Sequence, residues 1–186
     1  MAKPTDGTSP PTAHSRERWY ISGLMTAKDS IEFGNYAEKN RIYSINRKLT
    51  SYYNDNFEEI TKQILRKYPQ RKQVLREGIK AHKLAMYYAS TTLFLSQADG
   101  ICSGLLFKNT NKKQNLKKVV SKTKYFDEIL NVIIEKSTVD SYHGEIMHSR
   151  DNLNRHGIMH GNFVDFGCKR NSLKALSLLS FVSSFT

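Results

Sequence analysis

The fold is decided by one stretch, QVLREGIKAHKLAMYYASTTLFLSQADGICSGLLF, residues 73–107. Its apolar residues recur at helical spacing and become denser in the second half: Val74, Ile79, Leu84, Met86, Tyr87, Tyr88, Leu93, Leu95, Ile101 and Leu105. A helix that is apolar on most sides belongs in the middle of a bundle. The spacing therefore predicts one long central helix over residues 73–107.

The rest of the chain also favours helices. All four prolines lie at positions 4, 10, 11 and 69, so residues 70–186 contain no proline that would interrupt a helix. We expect one or two helices over residues 16–53 and further helices over 56–67, 125–136, 141–160 and 171–185, the last with Asn171 as its N-cap. No stretch alternates as a strand would. The predicted fold class is all-α, a bundle of four or more helices.

The predicted organisation is a flexible tail followed by a single helical domain. The tail covers residues 1–14, and the domain covers residues 15–186. Within the domain, residues 15–69 are expected to form an N-terminal helical extension and residues 70–186 the core bundle. Residues 108–124 carry seven lysines and no acidic residue, which predicts an exposed basic loop.

The chain is strongly basic. Its formal net charge is +12 and its pI is about 9.7, and the excess is divided evenly between residues 1–100 and 101–186. Such a field attracts polyanions, with nucleic acid the first candidate and an anionic membrane surface the second. A soluble protein that is basic without a polyanionic partner is the alternative.

Cysteine usage and apolar patterning indicate a cytoplasmic protein. Cys102 and Cys168 are the only cysteines, and nothing in their spacing requires a disulfide. The N-terminal residues lack the apolar core of a secretory signal. The longest apolar stretch, residues 84–107, contains Asp99 near its middle, which argues against a membrane span. We therefore expect no membrane partner.

The polar residues that carry chemistry are concentrated in the run Leu153-Asn154-Arg155-His156-Gly157-Ile158-Met159-His160-Gly161. On a helix, Asn152, His156 and His160 recur every four residues and form one stripe, with Arg155 to one side. Imidazoles transfer protons near neutral pH, and guanidinium groups bind phosphates. One alternative is that these histidines are structural and that Gly157 and Gly161 end a helix. Another is a metal site, with Asp165 or Cys168 as further ligands.

Asp99 is the second unusual feature because it lies within an apolar helix. A lone buried carboxylate is very costly, so it must be paired. Arg155 is the expected partner, or a protonated His156 or His160. The alternative is that Asp99 and Gly100 mark a break between two helices at the surface.

Arg155-His156-x-x-x-His160 resembles the signature of the HEPN superfamily: arginine, a polar residue, three further residues and histidine. The resemblance implies an α-helical bundle and metal-independent RNA cleavage that needs no cofactor. It implies that His160 is a general base or acid, that Arg155 holds the phosphate, and that His156 positions it or shares the proton transfer. Asp99 is similar to the polar or acidic residue that such proteins carry on an earlier helix. The predicted RNA contacts are Asn152, Lys112, Lys113, Lys117 and Lys118, with a solvated loop as the alternative for the lysines.

Arg155 and His160 are separated by about 140° around a regular helix, so one straight helix does not direct both at one atom. Either the helix distorts at Gly157, or a second subunit completes the site. HEPN ribonucleases form two-fold dimers, and the resemblance therefore implies a homodimer. It also implies a bacterial toxin, abortive-infection or phage-defence setting, with an antitoxin or regulatory protein as a further partner.

The chain departs from one HEPN pattern. Toxins paired with a nucleotidyltransferase antitoxin commonly continue the motif with a tyrosine, whereas here His160 is followed by Gly161 and Asn162. Silencing through such a tyrosine is therefore not predicted. Two other functions stay open: a non-catalytic helical module that binds RNA or protein and uses the motif as a dimer interface, and a metal-dependent hydrolase that uses His156 and His160.

Overall fold

The computed structural model describes residues 19, 20, 22–26, 29, 42–104, 153 and 155–185, with the backbone alone at positions 42, 43, 156 and 185. These residues form six α-helices and no β-strand, which confirms the all-α class for this part of the chain. The helices are α1 (Ile42–Asp55), α2 (Phe57–Lys67), α3 (Lys72–Lys83), α4 (Tyr87–Ile101), α5 (Arg155–Met159) and α6 (Lys169–Phe185). A 3-10 turn, Pro69–Arg71, joins α2 to α3.

The prediction of one helix over residues 73–107 is wrong, because the chain turns between α3 and α4. Ala85 adopts a left-handed conformation with φ 58°. Its backbone N–H donates to the carbonyl of His82, and the Met86 N–H donates to the carbonyl of Ala81. These two bonds are those of a Schellman motif, which usually has glycine where Ala85 stands. Because the turn contains no glycine, the apolar spacing of the sequence shows no break at this position.

The turn at Ala85 carries a strain that a single substitution removes. A non-glycine residue in the left-handed conformation costs about 1–2 kcal/mol, and glycine at this position removes that cost. Part of the resulting gain in stability is offset, because glycine has more conformational freedom in the unfolded chain. We expect Ala85→Gly to raise the free energy of unfolding by about 0.5–1 kcal/mol in urea titrations. Ala89→Gly, within α4, is the matched control and should lower it by about 0.5–1 kcal/mol. Equal destabilisation by both changes would contradict the role given to Ala85.

The prediction for residues 56–67 is confirmed, since α2 ends directly before Tyr68 and Pro69. The N-terminal prediction is wrong at Trp19 and Tyr20, which are not helical. Side chains of two helices hold this segment instead. The Trp19 indole N–H donates to Asn46 of α1, and the Tyr20 backbone N–H donates to Ser177 of α6. An irregular segment is stable here because its polar groups find these partners.

Two further helix predictions need correction. The helix expected over residues 141–160 is not continuous, because Leu153 is not helical and α5 begins at Arg155. The last helix begins at Lys169 rather than Asn171. The Asn171 side-chain amide donates to the carbonyl of Phe166, so it ties α6 to the preceding loop and is not an N-cap.

The core is centred on α6, which packs against α4 and also contacts α1 and α2. Every residue from position 171 to position 183 is buried. The apolar cluster combines side chains of α1 and α2 with those of α4 and α6, so all four helices share one core. Buried serines in α6 find hydrogen-bond partners: the Ser177 hydroxyl donates to the carbonyl of Lys174, and the hydroxyls of Ser180 and Ser22 lie 3.1 Å apart.

Several predictions concern positions outside the described residues. These are the tail over 1–14, the basic loop over 108–124, the helix over 125–136, and the RNA contacts Asn152, Lys112, Lys113, Lys117 and Lys118. Among the helices that the structure describes, none combines the length and the apolar character that a membrane span requires.

Candidate active site

Helix α5 carries the arginine–histidine motif and is short because of Gly161. Gly161 has φ 72°, its N–H donates to the carbonyl of Ile158, and the Asn162 N–H donates to that of Gly157. This is again a Schellman motif, here with the expected glycine. Gly161 thus ends the helix, as one interpretation of the sequence held, whereas Gly157 lies inside it. Buried Leu153 and Ile158 fix the short helix on the core.

Asp99 and Arg155 meet between α4 and α5. A guanidinium nitrogen of Arg155, Nη2, donates to Asp99 Oδ2 at 3.4 Å, and the two side chains are only 20% and 21% exposed. The contact that the cost of a buried carboxylate predicts is therefore present. Burial lowers the pKa of Arg155, and the negative charge of Asp99 opposes that shift. A guanidinium remains protonated in proteins, so the pair is ionic.

The surroundings of Asp99 show how close it lies to the end of its helix. Cys102, Ser103 and Gly104 follow α4 as a turn, and Ser103 and Gly104 have left-handed φ values of 56° and 69°. The predicted alternative of a helix break thus applies just after Asp99, although Asp99 itself is mostly buried. Its Oδ1 is buried and accepts no hydrogen bond from any described residue. Burial, and secondarily Asp99, raises the pKa of Cys102 to about 12, so this thiol stays protonated and is not a nucleophile.

Arg71 is a second arginine at the same helix end, and no sequence pattern indicated it. Its Nη1 donates to Gln97 Oε1 at 3.0 Å, and its Nη2 donates to the carbonyl of Gly100 at 2.7 Å. A Cβ at Gly100 would lie 2.7 Å from Nη1, so glycine permits the approach. Cations near a helix C-terminus are stabilised by the partial negative charge there. Arg71 and Arg155 therefore both bind the last turn of α4.

His160 lies in the turn that follows α5 and is exposed to solvent. Arg155 begins this helix, so the two residues are about 7.5 Å apart along its axis at 1.5 Å per residue. The structure brings Arg155 together with Asp99, and it places His160 at the solvent-exposed end of the same short helix. The backbone of His156 belongs to α5, and its side chain is outside the described residues.

The described side chains contain no group of three or more His, Cys, Asp or Glu residues able to hold a metal ion. Asp165 is exposed and Cys168 is partly exposed, both in the loop between α5 and α6. No family model matches this chain, and no curated protein or solved structure is significantly similar to it. The described part of the site thus combines an arginine–carboxylate pair at the start of α5 with an exposed histidine just after its end.

His82 forms a separate polar cluster in the core, which the sequence analysis missed. Its Nδ1 and the Ser172 hydroxyl are 2.7 Å apart, and Ser172 shares a second hydrogen bond with Ser90. The imidazole stacks on Phe57 with ring centroids 4.4 Å apart. A histidine between serines resembles a catalytic arrangement, but both serines are fully buried and His82 is 8% exposed. This cluster joins α3, α4 and α6 and has no access for a substrate.

The buried His82 makes stability depend on pH. Burial, with a smaller effect from Lys169, lowers its pKa from 6.5 to about 4. The unfolded chain therefore binds more protons between these values, so the stability contributed by the neutral ring is complete above pH 6.5 and is lost as the pH falls towards 4. Between pH 7 and pH 5 we expect His82 to account for a loss of about 2 kcal/mol. In urea titrations, His82→Phe, which keeps an aromatic ring but cannot be protonated, should lose about 2 kcal/mol less free energy of unfolding between pH 7 and pH 5 than the wild type. Equal losses in the two proteins would contradict the assignment of this pH dependence to His82.

Proposed function

We propose that this chain is a metal-independent endoribonuclease whose active site combines Arg155 and His160 with Asp99 and His156. The observation that carries the proposal is the Asp99–Arg155 ion pair, which joins the arginine of the motif to an acidic residue 56 positions earlier. A partly buried arginine held by a carboxylate of a second helix has a fixed orientation, which binding of a phosphate in one position requires. The net charge of +12 is a further support, because it favours a polyanionic substrate.

The reaction is an internal transesterification. The 2′-oxygen of a ribose attacks the adjacent phosphorus, the bond from phosphorus to the 5′-oxygen breaks, and the products are a 2′,3′-cyclic phosphate and a 5′-hydroxyl. One proton leaves the 2′-hydroxyl and another reaches the departing 5′-oxygen. His160 is exposed, and imidazoles serve as general acids and bases in catalysis, so we assign it one of these transfers, with His156 sharing the proton transfer or positioning the phosphate.

Arg155 stabilises the charge that accumulates on the phosphoryl oxygens. Its planar guanidinium offers five N–H donors in a fixed fork, and the bond to Asp99 uses Nη2. Asp99 acts as a positioning residue, because it holds the guanidinium in one orientation before the substrate arrives. Preorganised donors of this kind increase the reaction rate by about 10²–10³-fold.

The proposed architecture is a HEPN-like helical bundle that acts as a cytoplasmic homodimer. About 7.5 Å of helix axis lie between Arg155 and His160, and a second subunit facing the first would supply the complementary group across a two-fold axis. A toxin or phage-defence role, with an antitoxin or regulatory protein as partner, completes the proposal.

The test is the incubation of the full chain with a labelled single-stranded RNA in EDTA, beside a DNA of the same sequence. We expect fragments of the RNA and intact DNA, because only RNA carries the 2′-hydroxyl. Intact RNA that is nevertheless bound by the protein would overturn the proposal in favour of a non-catalytic binding module. Cleavage that EDTA abolishes would overturn it in favour of a metal-dependent hydrolase.

A further inference from the structure

A long open groove lies between α2 and α3, away from the ion pair of Asp99 and Arg155. Its volume is about 940 Å³, and α2 and α3 form its two walls. Six basic residues line it: Lys62, Arg66, Lys72, Arg76, Lys80 and Lys83. The acidic residues of the lining are Glu58 and Glu59. The groove therefore holds a clear excess of positive charge.

The basic residues form two rows that face each other. Lys62 and Arg66 are four positions apart on α2, and Lys72, Arg76 and Lys80 repeat the same step on α3. A step of four residues advances about 6 Å along a helix and returns to nearly the same face. Evenly spaced cations along a groove match a chain of evenly spaced anions better than they match a single small anion.

Most of these charges have no counter-ion among the residues that the structure describes. Arg66, Lys72, Arg76 and Lys80 make no ion pair with any residue in the described part of the chain. The ion pairs of the groove involve the other two lysines: Lys83 with Glu58 at 2.7 Å, and Lys62 with Glu59 at 3.9 Å. Like charges four positions apart lie next to each other on a helix and destabilise it. A polyanion bound along the two rows would remove this repulsion.

The shape and floor of the groove distinguish between polyanions. Leu65, Ile79 and the 60% exposed Leu84 add apolar surface to the lining, so an amphipathic acidic helix is the competing occupant that the test below must distinguish. A membrane surface would not reach charges that line a concave groove. The two rows of cations line one groove and therefore match one phosphodiester chain rather than the two chains of a duplex.

One end of the groove leads to the candidate active site. Pro69 and Lys72 line that end, and they flank Arg71 in the chain. Arg71 donates to the carbonyl of Gly100, the residue next to Asp99. The Glu58–Lys83 ion pair lies at the opposite end of the two helices. A nucleic acid strand that leaves the groove at the Pro69 end is thus on the same side of the molecule as Asp99 and Arg155.

From these observations we infer that the groove between α2 and α3 binds the sugar–phosphate backbone of single-stranded RNA. The identity of the strand as a substrate rests on the proposed function, whereas the binding of a phosphodiester chain rests on the groove alone. Arg66, Lys72, Arg76 and Lys80 each contact phosphate oxygens, and the strand continues towards Arg155.

The test uses the full chain and a fluorescent single-stranded 2′-O-methyl oligonucleotide, which lacks the attacking hydroxyl and stays intact. Its affinity is measured over a range of salt concentrations. In Arg76→Gln/Lys80→Gln we expect a loss of about tenfold in affinity, and a dependence of log K on log salt that is less steep by about 1.4 for two lost phosphate contacts. Arg47→Gln/Lys169→Gln, at exposed positions outside the groove, removes the same charge and should bind like the wild type.

The charge-preserving variant Arg76→Lys/Lys80→Arg should retain binding, and thermal melting of all variants checks their folding. Equal losses in the two double glutamine variants would overturn the inference, since net charge alone would then explain binding. So would a groove variant that binds the oligonucleotide like the wild type, or one that loses binding only to phosphatidylserine vesicles or to an acidic amphipathic peptide. Binding that depends on the groove in a protein that cleaves no RNA would overturn the proposed function and leave the groove assignment standing.

Discussion

Alanine at position 160 is expected to lower the rate of RNA cleavage by about 10²–10⁴-fold, the usual contribution of a general acid or base. His160 lies exposed in the turn after α5, so its removal takes away a proton-transfer group and little packing. The rate is measured with a labelled RNA in EDTA, and urea titration should give an unchanged free energy of unfolding. Val164→Ala, another exposed residue of the following loop, is the matched control and should cleave normally.

Arg155→Ala is expected to lower the rate of RNA cleavage by about 10²–10³-fold, because it removes the group that stabilises charge on the phosphate. Because it leaves Asp99 buried without its partner, its stability must be measured as well. Arg155→Lys keeps the charge and loses the planar fork, so it should recover folding more than activity. Full activity in either His160→Ala or Arg155→Ala would contradict the assigned roles.

Leu176→Ala is expected to lower the free energy of unfolding by about 2–5 kcal/mol, the largest stability effect that we predict for a single change. Leu176 is 0% exposed on α6 and lies beside Ile64 of α2, Leu75 of α3 and Phe94 of α4, so its truncation opens a cavity where four helices meet. A loss of this size is a large part of the stability of an ordinary domain. Urea titration at pH 7 measures it.

The matched control for this prediction is Leu84→Ala. Leu84 is 60% exposed at the end of α3, so the same chemical change should shift the free energy of unfolding by no more than about 0.5 kcal/mol. Similar effects at the two positions would contradict the placement of α6 at the centre of the core.

Local signals predicted some helix ends and misplaced others, as Asn171 did for the start of α6. Pro69 follows α2 and made its end predictable, because proline restricts the residue before it. The turn between α3 and α4 has alanine in the left-handed position, where local rules expect glycine, and it was therefore missed. The irregular course of Trp19 and Tyr20 depends on Asn46 and Ser177, partners that are distant in sequence and become visible only in the folded chain.

The same distinction applies to the candidate site. The pairing of Asp99 with Arg155 could be predicted because a carboxylate in an apolar helix requires a partner and the arginine–histidine motif offers a cation for it. Arg71 could not be predicted, since an arginine two positions after a proline gives no sign that it will reach the carbonyl of Gly100. Lys72, Arg76 and Lys80 form a visible stripe in the sequence, but such a stripe indicates a solvated face until the opposite wall of the groove is known.

The most direct test of the central claim uses oligonucleotides of 2′-O-methyl nucleotides that contain one ribonucleotide, with each of the four bases in turn. They are incubated with the wild-type chain in EDTA, and the product ends are identified by mass spectrometry. The account predicts a single cut, directly 3′ of the ribonucleotide, that leaves a 2′,3′-cyclic phosphate and a 5′-hydroxyl. Four intact oligonucleotides, cuts at methylated positions, or products that carry a 5′-phosphate would contradict it.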